Sequence, residues 1–80
     1  AASADGVLSH KEKELIALGI AVALRCEDCI TSHVGACCRA GVMREEMVEA
    51  LGTAIQMSGG PGLMYASKAL AAFDEVLAGA

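Results

Sequence analysis

The alternation of apolar and polar positions along the chain reads as four helices and no strand. Ser9, followed three positions later by Glu12, forms a capping-box pattern in which each side chain satisfies a free backbone N–H of the other residue, so a first helix should begin near Ser9. It continues through an uninterrupted apolar run from Leu15 to Leu24, apolar on every side, which is the pattern of a helix buried among others. A second helix is expected from about Glu27 to Ala40. Glu27 and Asp28 sit in its first turn, Arg39 in its last, and Gly41 follows as C-cap, all in the sense that the helix dipole favours. Glu45 and Glu46 open a third helix, in which Met47, Val48, Leu51, Ile55 and Met57 recur at helical spacing to about Ser58. Gly59-Gly60-Pro61-Gly62 should then break the chain, and a last helix from about Leu63 to Leu77 would align Ala66, Leu70, Phe73 and Leu77. No stretch alternates with period two, and no repeat or low-complexity tract stands out. The expectation is an all-α bundle of about four helices, one domain over residues 1–80 with its core at about 9–77.

Composition adds a constraint that the helices alone do not supply. At 80 residues the chain has little volume for a core, yet 55% of its residues are hydrophobic and its mean hydropathy is +0.51. Aromatics make up only 2%, so packing has to rely on Ala, Leu, Ile, Val and Met, with close helix approach at Gly and Ala. More apolar surface than a small monomer can hide points to burial between subunits, hence to a homo-oligomer. The apolar run of ten residues is too short for a membrane span, which needs roughly 20. The opening Ala-Ala-Ser-Ala-Asp-Gly lacks the basic start and apolar stretch of a secretory leader, leaving the cytoplasm as the default compartment. A net charge of −4, without a basic cluster or stacking aromatics, argues against a nucleic-acid partner.

The candidate chemistry is concentrated in one stretch. Cys26-Glu27-Asp28-Cys29 is a C-x-x-C pair at the start of a predicted helix, where free N–H groups and the helix dipole favour a thiolate and the two sulfurs can also close into a disulfide. His33 lies four residues after Cys29, on the same helix face one turn on, within reach to accept the thiol proton or, when charged, to stabilise the thiolate. The plainer alternative is a helix-surface or hydrogen-bonded core histidine. Glu14 is in the second turn of the first helix, with Ala17, Ala21 and Arg25 near its face. Buried there it becomes a candidate general base, a role that a neighbouring cation would oppose; otherwise it is an ordinary acidic residue near a helix N-terminus.

Other uses of the same residues are weighed by geometry. A thioredoxin fold sets its C-x-x-C after a strand, and this chain offers none. One zinc ion cannot take both Cys29 and Cys37, which stand about 12 Å apart along a helix at 1.5 Å per residue. A zinc site on Cys26, Cys29 and His33 with a fourth ligand from elsewhere stays open. Cys37 and Cys38 are adjacent, a spacing that rarely allows a mutual disulfide, and small apolar packing suits them better. His10, in the first turn of the first helix, is expected in water. The methionines of the third helix are expected to be packing residues.

The arrangement Glu14, eleven residues, Cys26, two residues, Cys29, three residues, His33 resembles the signature of the alkylhydroperoxidase AhpD-like, or carboxymuconolactone decarboxylase-like, family. Gly41 after the second helix and Glu45-Glu46 before an apolar helix are similar too, so the resemblance runs from about Glu12 to Leu77. It implies an all-α bundle assembled as a homo-oligomer, commonly a trimer or hexamer. In the peroxidase branch it implies Cys29 as the cysteine that attacks a hydroperoxide and Cys26 as the one that resolves the sulfenic acid to a disulfide. His33 and Glu14 would then form a proton relay, and a dithiol donor, lipoyl-bearing or thioredoxin-like, would be the reductant. No cofactor and no metal are called for. One departure is Asp28, where peroxidase members can carry a relay histidine; its negative charge disfavours the adjacent thiolate and brings forward a general disulfide oxidoreductase using the same pair. The lactone decarboxylase branch does not depend on a cysteine pair, and its substrate-binding residues are not recognisable here. A zinc-binding or non-catalytic oligomeric module completes the alternatives.

Overall fold

The computed structural model of the chain describes residues 4–79; Ala1, Ala2 and Ser3, which begin the stretch read above as lacking a leader, and Ala80 lie outside the described residues. Four helices follow in order, α1 (His10–Leu24), α2 (Glu27–Arg39), α3 (Arg44–Ser58) and α4 (Gly60–Leu77), with no strand among the described residues. The all-α expectation is borne out. Helix α1 touches all three of the others, while α2 and α3 each pack on α1 and α4. The core between them is aliphatic apart from Phe73: Leu18, Val22, Val34, Cys37 and Met47 are its largest fully buried members besides that ring.

Local chemistry explains where each helix begins and ends. Ser9 caps α1 as read from sequence: its hydroxyl accepts the Glu12 N–H at 3.0 Å, and the Glu12 carboxylate accepts the Ser9 N–H at 2.8 Å. His10 opens the helix and is half-buried rather than fully solvated. Helices α1 and α2 end alike. Arg25 N–H donates to Val22 O and Cys26 N–H to Ala21 O, while Gly41 N–H donates to Cys38 O and Val42 N–H to Cys37 O. Both are Schellman ends, in which a left-handed residue turns the chain out of the helix. Gly41 fills that position at φ 82°, but Arg25 fills it at φ 58° and is the one non-glycine residue with positive φ among the described residues. Because Arg25 ends α1 and Cys26 caps α2, the connection has no slack.

Four expectations need correction. Gly60-Pro61-Gly62 does not break the chain but starts α4, three residues earlier than Leu63: Pro61 occupies the first turn, where a missing N–H costs nothing, and the break is carried by Gly59 alone. Gly59 has φ 72° and ψ −154°, a region essentially confined to glycine. On α4 the buried stripe is therefore Gly62, Ala66, Ala69 and Phe73, with Leu70 at its margin and Leu77 exposed. On α3 it is Met47, Leu51 and Ala54, while Val48 and Met57 face outward. Helix α1 is central but not enclosed, since Ile16, Ile20 and Leu24 form an uncovered stripe at 50%, 54% and 71% exposure. Three partner helices cannot surround a fourth.

Ion pairs tie the helices at the surface. Lys11 of α1 meets Glu46 of α3 at 2.9 Å, and Glu46 also accepts the Met43 N–H that α3 leaves free; that backbone bond and the lysine hold its carboxyl below the usual range. Arg44 grips Asp74 through two nitrogens at 2.9 and 3.1 Å, joining α3 to α4. Such pairs at the surface are each worth about 1 kcal/mol or less, so burial of the apolar core dominates. The two Schellman ends should respond oppositely to substitution. Gly41→Ala should lower unfolding free energy by about 1 kcal/mol, the cost of a Cβ in the left-handed region. Arg25→Gly should not lower it, because relief of that cost offsets the entropy of a freer unfolded chain. Urea midpoints of the two variants against the parent check the pair.

Candidate active site

The site is built where α1 hands over to α2. Cys26 is the N-cap residue of α2, extended in backbone, and its Sγ accepts the Cys29 N–H at 3.2 Å. Cysteine is a weak acceptor, but it stands where Ser, Thr, Asp or Asn ordinarily would. Cys26 and Cys29 are joined as a disulfide across a Cα–Cα distance of 5.2 Å. Cys26 is half-buried and Cys29 exposed.

One turn further along α2, His33 Nδ1 lies 2.9 Å from Glu14 Oε1 of α1. Glu14 is 7% exposed and is the buried charged side chain of the core region among the described residues. A carboxylate taken out of water needs a hydrogen-bond partner, and the imidazole supplies it. Cys29 and His33 line the same depression, a hollow of about 240 Å³ whose remaining wall is Ala17, Ile20, Ala21 and Leu24 of α1. The four residues singled out in sequence are thus contiguous: disulfide, imidazole and buried carboxylate follow one another from the surface inward. The small Ala17 and Ala21 noted near the Glu14 face leave the space the hollow occupies.

Electrostatics around the pair are mixed. Glu27 and Asp28 are exposed in the first turn of α2, and Lys68 of α4 reaches Glu27 at 3.4 Å while lying 5.8 Å from the Tyr65 ring centre. Arg25 is exposed on the other side of Cys26. Neither the His33 ring nor the two sulfurs converge with a third ligand on a metal position; no group of three His, Cys, Asp or Glu side chains does so among the described residues. A larger apolar groove of about 420 Å³ runs between α1 and α3, and Ile20 lines both hollows.

Sequence reasoning read Cys37 as core and left one feature unseen. Cys37 is fully buried four residues beyond His33, on the same face, so the spacing that pointed to His33 also pointed to it. Burial, then the negative charge of Glu14 and the neighbouring Cys38, pushes the Cys37 thiol up to about 11. It belongs to the core, as read, near enough to Glu14 to feel its charge. Cys38 packs against the core from its edge, and burial raises its thiol too, opposed by Arg39. The unseen feature is Cys26 as helix cap, for which the signal was its position immediately before two acidic first-turn residues.

With this geometry in view, residues 1–72 match the sequence pattern of the carboxymuconolactone decarboxylase family. The chain belongs to that family. A crystal structure of apo-lpg0406, a carboxymuconolactone decarboxylase family protein from Legionella pneumophila, superposes with a TM-score of 0.90 at 50% identity, covering 92% of this chain and 66% of that one. An uncharacterized protein of Cupriavidus necator is 50% identical over 74 residues, and "Uncharacterized protein 4 in cox locus" of Paracoccus denitrificans is 40% identical over 73. These cover 92% and 91% of the chain, which spans 66% of the length of each relative. No helix among the described residues is long and apolar enough to cross a membrane.

Two reactivities follow for the family member described here. Iodoacetamide at pH 8 should leave Cys37 unlabelled in the folded protein and label it on denaturation, read by peptide mass. Because its thiol is pushed from 9.0 to about 11 by folding, the folded state holds a proton that the unfolded chain has lost between those pH values. Stability should therefore fall as pH rises from about 9 to 11, and Cys37→Ala should flatten that fall in urea titrations.

Proposed function

We propose that this chain acts as a thiol-dependent peroxidase with Cys26 and Cys29 as its redox pair. The observation that carries this reading is the unbroken succession of the Cys26–Cys29 disulfide, His33 beside Cys29 in one hollow, and Glu14 at 2.9 Å behind His33. In the reduced state the Cys29 thiolate attacks the terminal oxygen of a hydroperoxide. The O–O bond breaks, the alcohol or water leaves with a proton from His33, and Cys29 becomes a sulfenic acid. Cys26 then attacks Cys29 Sγ, water departs with the hydroxyl, and the disulfide of the present structure results. Glu14 orients the imidazole and compensates its positive charge. A dithiol donor, lipoyl-bearing or thioredoxin-like, restores both thiols.

The same pair supports a second reading as a general disulfide oxidoreductase, favoured by Asp28. Its carboxylate sits one residue before Cys29, where it opposes thiolate formation and slows attack on peroxide without preventing exchange with disulfides. The uncovered α1 stripe, Ile16, Ile20 and Leu24, supports assembly as a homo-oligomer, which the family resemblance implies to be a trimer or hexamer. Two unpaired thiols, Cys37 and Cys38, suit a reducing compartment such as the cytoplasm.

Turnover of an alkyl hydroperoxide and of a disulfide substrate, each with a dithiol donor, separates the readings. Cys29→Ser should abolish both, and Glu14→Gln should cut peroxide turnover by about 100-fold or more, the usual worth of a positioned acid–base group. Turnover of disulfide but not peroxide selects the oxidoreductase; Cys29→Ser with full activity on both overturns the redox reading and leaves a metal-binding or non-catalytic module. In light scattering, the parent should exceed its 8.1 kDa chain mass severalfold and the Ile16→Asp, Ile20→Asp double variant should approach it. An active parent at the chain mass would overturn the assembly.

A further inference from the structure

The site is asymmetric about its own sulfur–sulfur bond. Cys26 is half-buried in the turn, and its Sγ receives the Cys29 N–H at the N-terminus of α2. Cys29 is exposed and shares its hollow with His33. In thiol–disulfide exchange, access decides which sulfur is attacked, and the stability of the departing thiolate decides which one leaves. A helix N-terminus stabilises negative charge, and a sulfur already holding an N–H of that terminus gains most from it. The two criteria select opposite ends of the bond. Attack on Cys26 would require a nucleophile to enter the tight α1–α2 turn and would expel Cys29, which follows the Asp28 carboxylate, whereas Cys26 follows Arg25 and its own acidic neighbour Glu27 is met by Lys68 at 3.4 Å.

We infer that a dithiol reductant attacks the Sγ of Cys29 and expels Cys26 as the leaving thiolate. The assignment rests on the redox-pair reading above and gives that pair a direction. The donor thiolate forms a new S–S bond with Cys29, the Cys26–Cys29 bond breaks, and its electron pair stays on Cys26 Sγ. The donor's second thiol, deprotonated, then attacks the donor sulfur of this mixed disulfide. The donor departs as its own cyclic disulfide and Cys29 departs as a thiolate. Two electrons have passed from donor to pair, and the donor's two protons reside on the thiols, His33 or water according to pH. Cys29 is thereby released last, next to the imidazole, and Cys26 already stands as the nucleophile that a Cys29 sulfenic acid requires.

The test uses the oxidised wild-type protein and 2-mercaptoethanol, an uncharged monothiol that forms the mixed disulfide without a second thiol of its own. Samples are quenched with acid at increasing times, freed thiols are capped with N-ethylmaleimide, and the peptide Cys26–Arg39, released by cleavage after Arg25 and Arg39, is sequenced by mass spectrometry. Extrapolated to zero time, mercaptoethanol on Cys29 with maleimide on Cys26 should exceed the reverse arrangement by about tenfold or more. Equal amounts, or a majority of adducts on Cys26, overturn the direction while leaving the redox pair intact. A disulfide that forms no adduct with the thiol at all overturns the redox reading and the direction with it, and is told apart by the unshifted mass of the oxidised chain.

Discussion

The burial of the Glu14 carboxylate is the constraint on which the site depends. An ionisable group with 7% of its surface exposed has to be met by a partner, and here that partner comes from the next helix. The Glu14–His33 contact therefore fixes how α2 is rotated against α1. Once His33 faces α1, Cys29, one turn earlier, opens onto the same hollow, and Cys37, one turn later on that face, is buried in the core. The rest of α2 follows as core, through Ile30 and Val34. A single polar contact thus aligns a helix whose remaining packing residues are small or aliphatic and carry little directional information.

Around that contact the helix ends are held by local hydrogen bonds. Schellman turns close α1 and α2, a capping box opens α1, and a backbone-to-carboxylate bond at Met43 opens α3. Little of the chain is spent on connections. The one-residue link at Gly59 and the immediate succession of Arg25 and Cys26 keep an 80-residue chain compact, with a radius of gyration of 11.6 Å. Part of the remaining apolar excess sits outside on α1, along Ile16, Ile20 and Leu24, next to the groove that Leu15, Gly19 and Met57 help to line.

Much of this was legible in the sequence because its signals are short in range. Ser9 and Glu12 marked the start of α1 through a bond three residues long, and the interval from Cys29 to His33 is one helical turn whatever the helix packs against. Glu14 was different. Periodicity put it near Ala17 and Ala21, but the side facing α2 is decided by tertiary packing, so spacing gave neither its burial nor its contact with His33, and only the family resemblance brought the two together. The start of α4 was misjudged because Gly60, Pro61 and Gly62 were weighed as breakers, whereas a first turn asks for no N–H from Pro61 and tolerates glycine. Helix α1 read as enclosed because all-round hydrophobicity does not say whether the last side is covered by its own chain. The left-handed Arg25 gave no warning, since glycine is the residue that normally announces such a turn, as Gly41 does.

Cys26 serves at once as half of a disulfide and as the cap of a helix, and those two roles form a closed thermodynamic cycle. Whatever free energy the sulfur contributes to the start of α2 differently in its bonded and thiolate forms must reappear, with the same size, as a difference in the ease of reducing the bond. The fold and the half-cell are in that sense one equilibrium viewed along two edges. Changes that never touch sulfur, such as those at Glu27 and Lys68 beside the first turn, gain a route to the chemistry through the helix they steady or loosen.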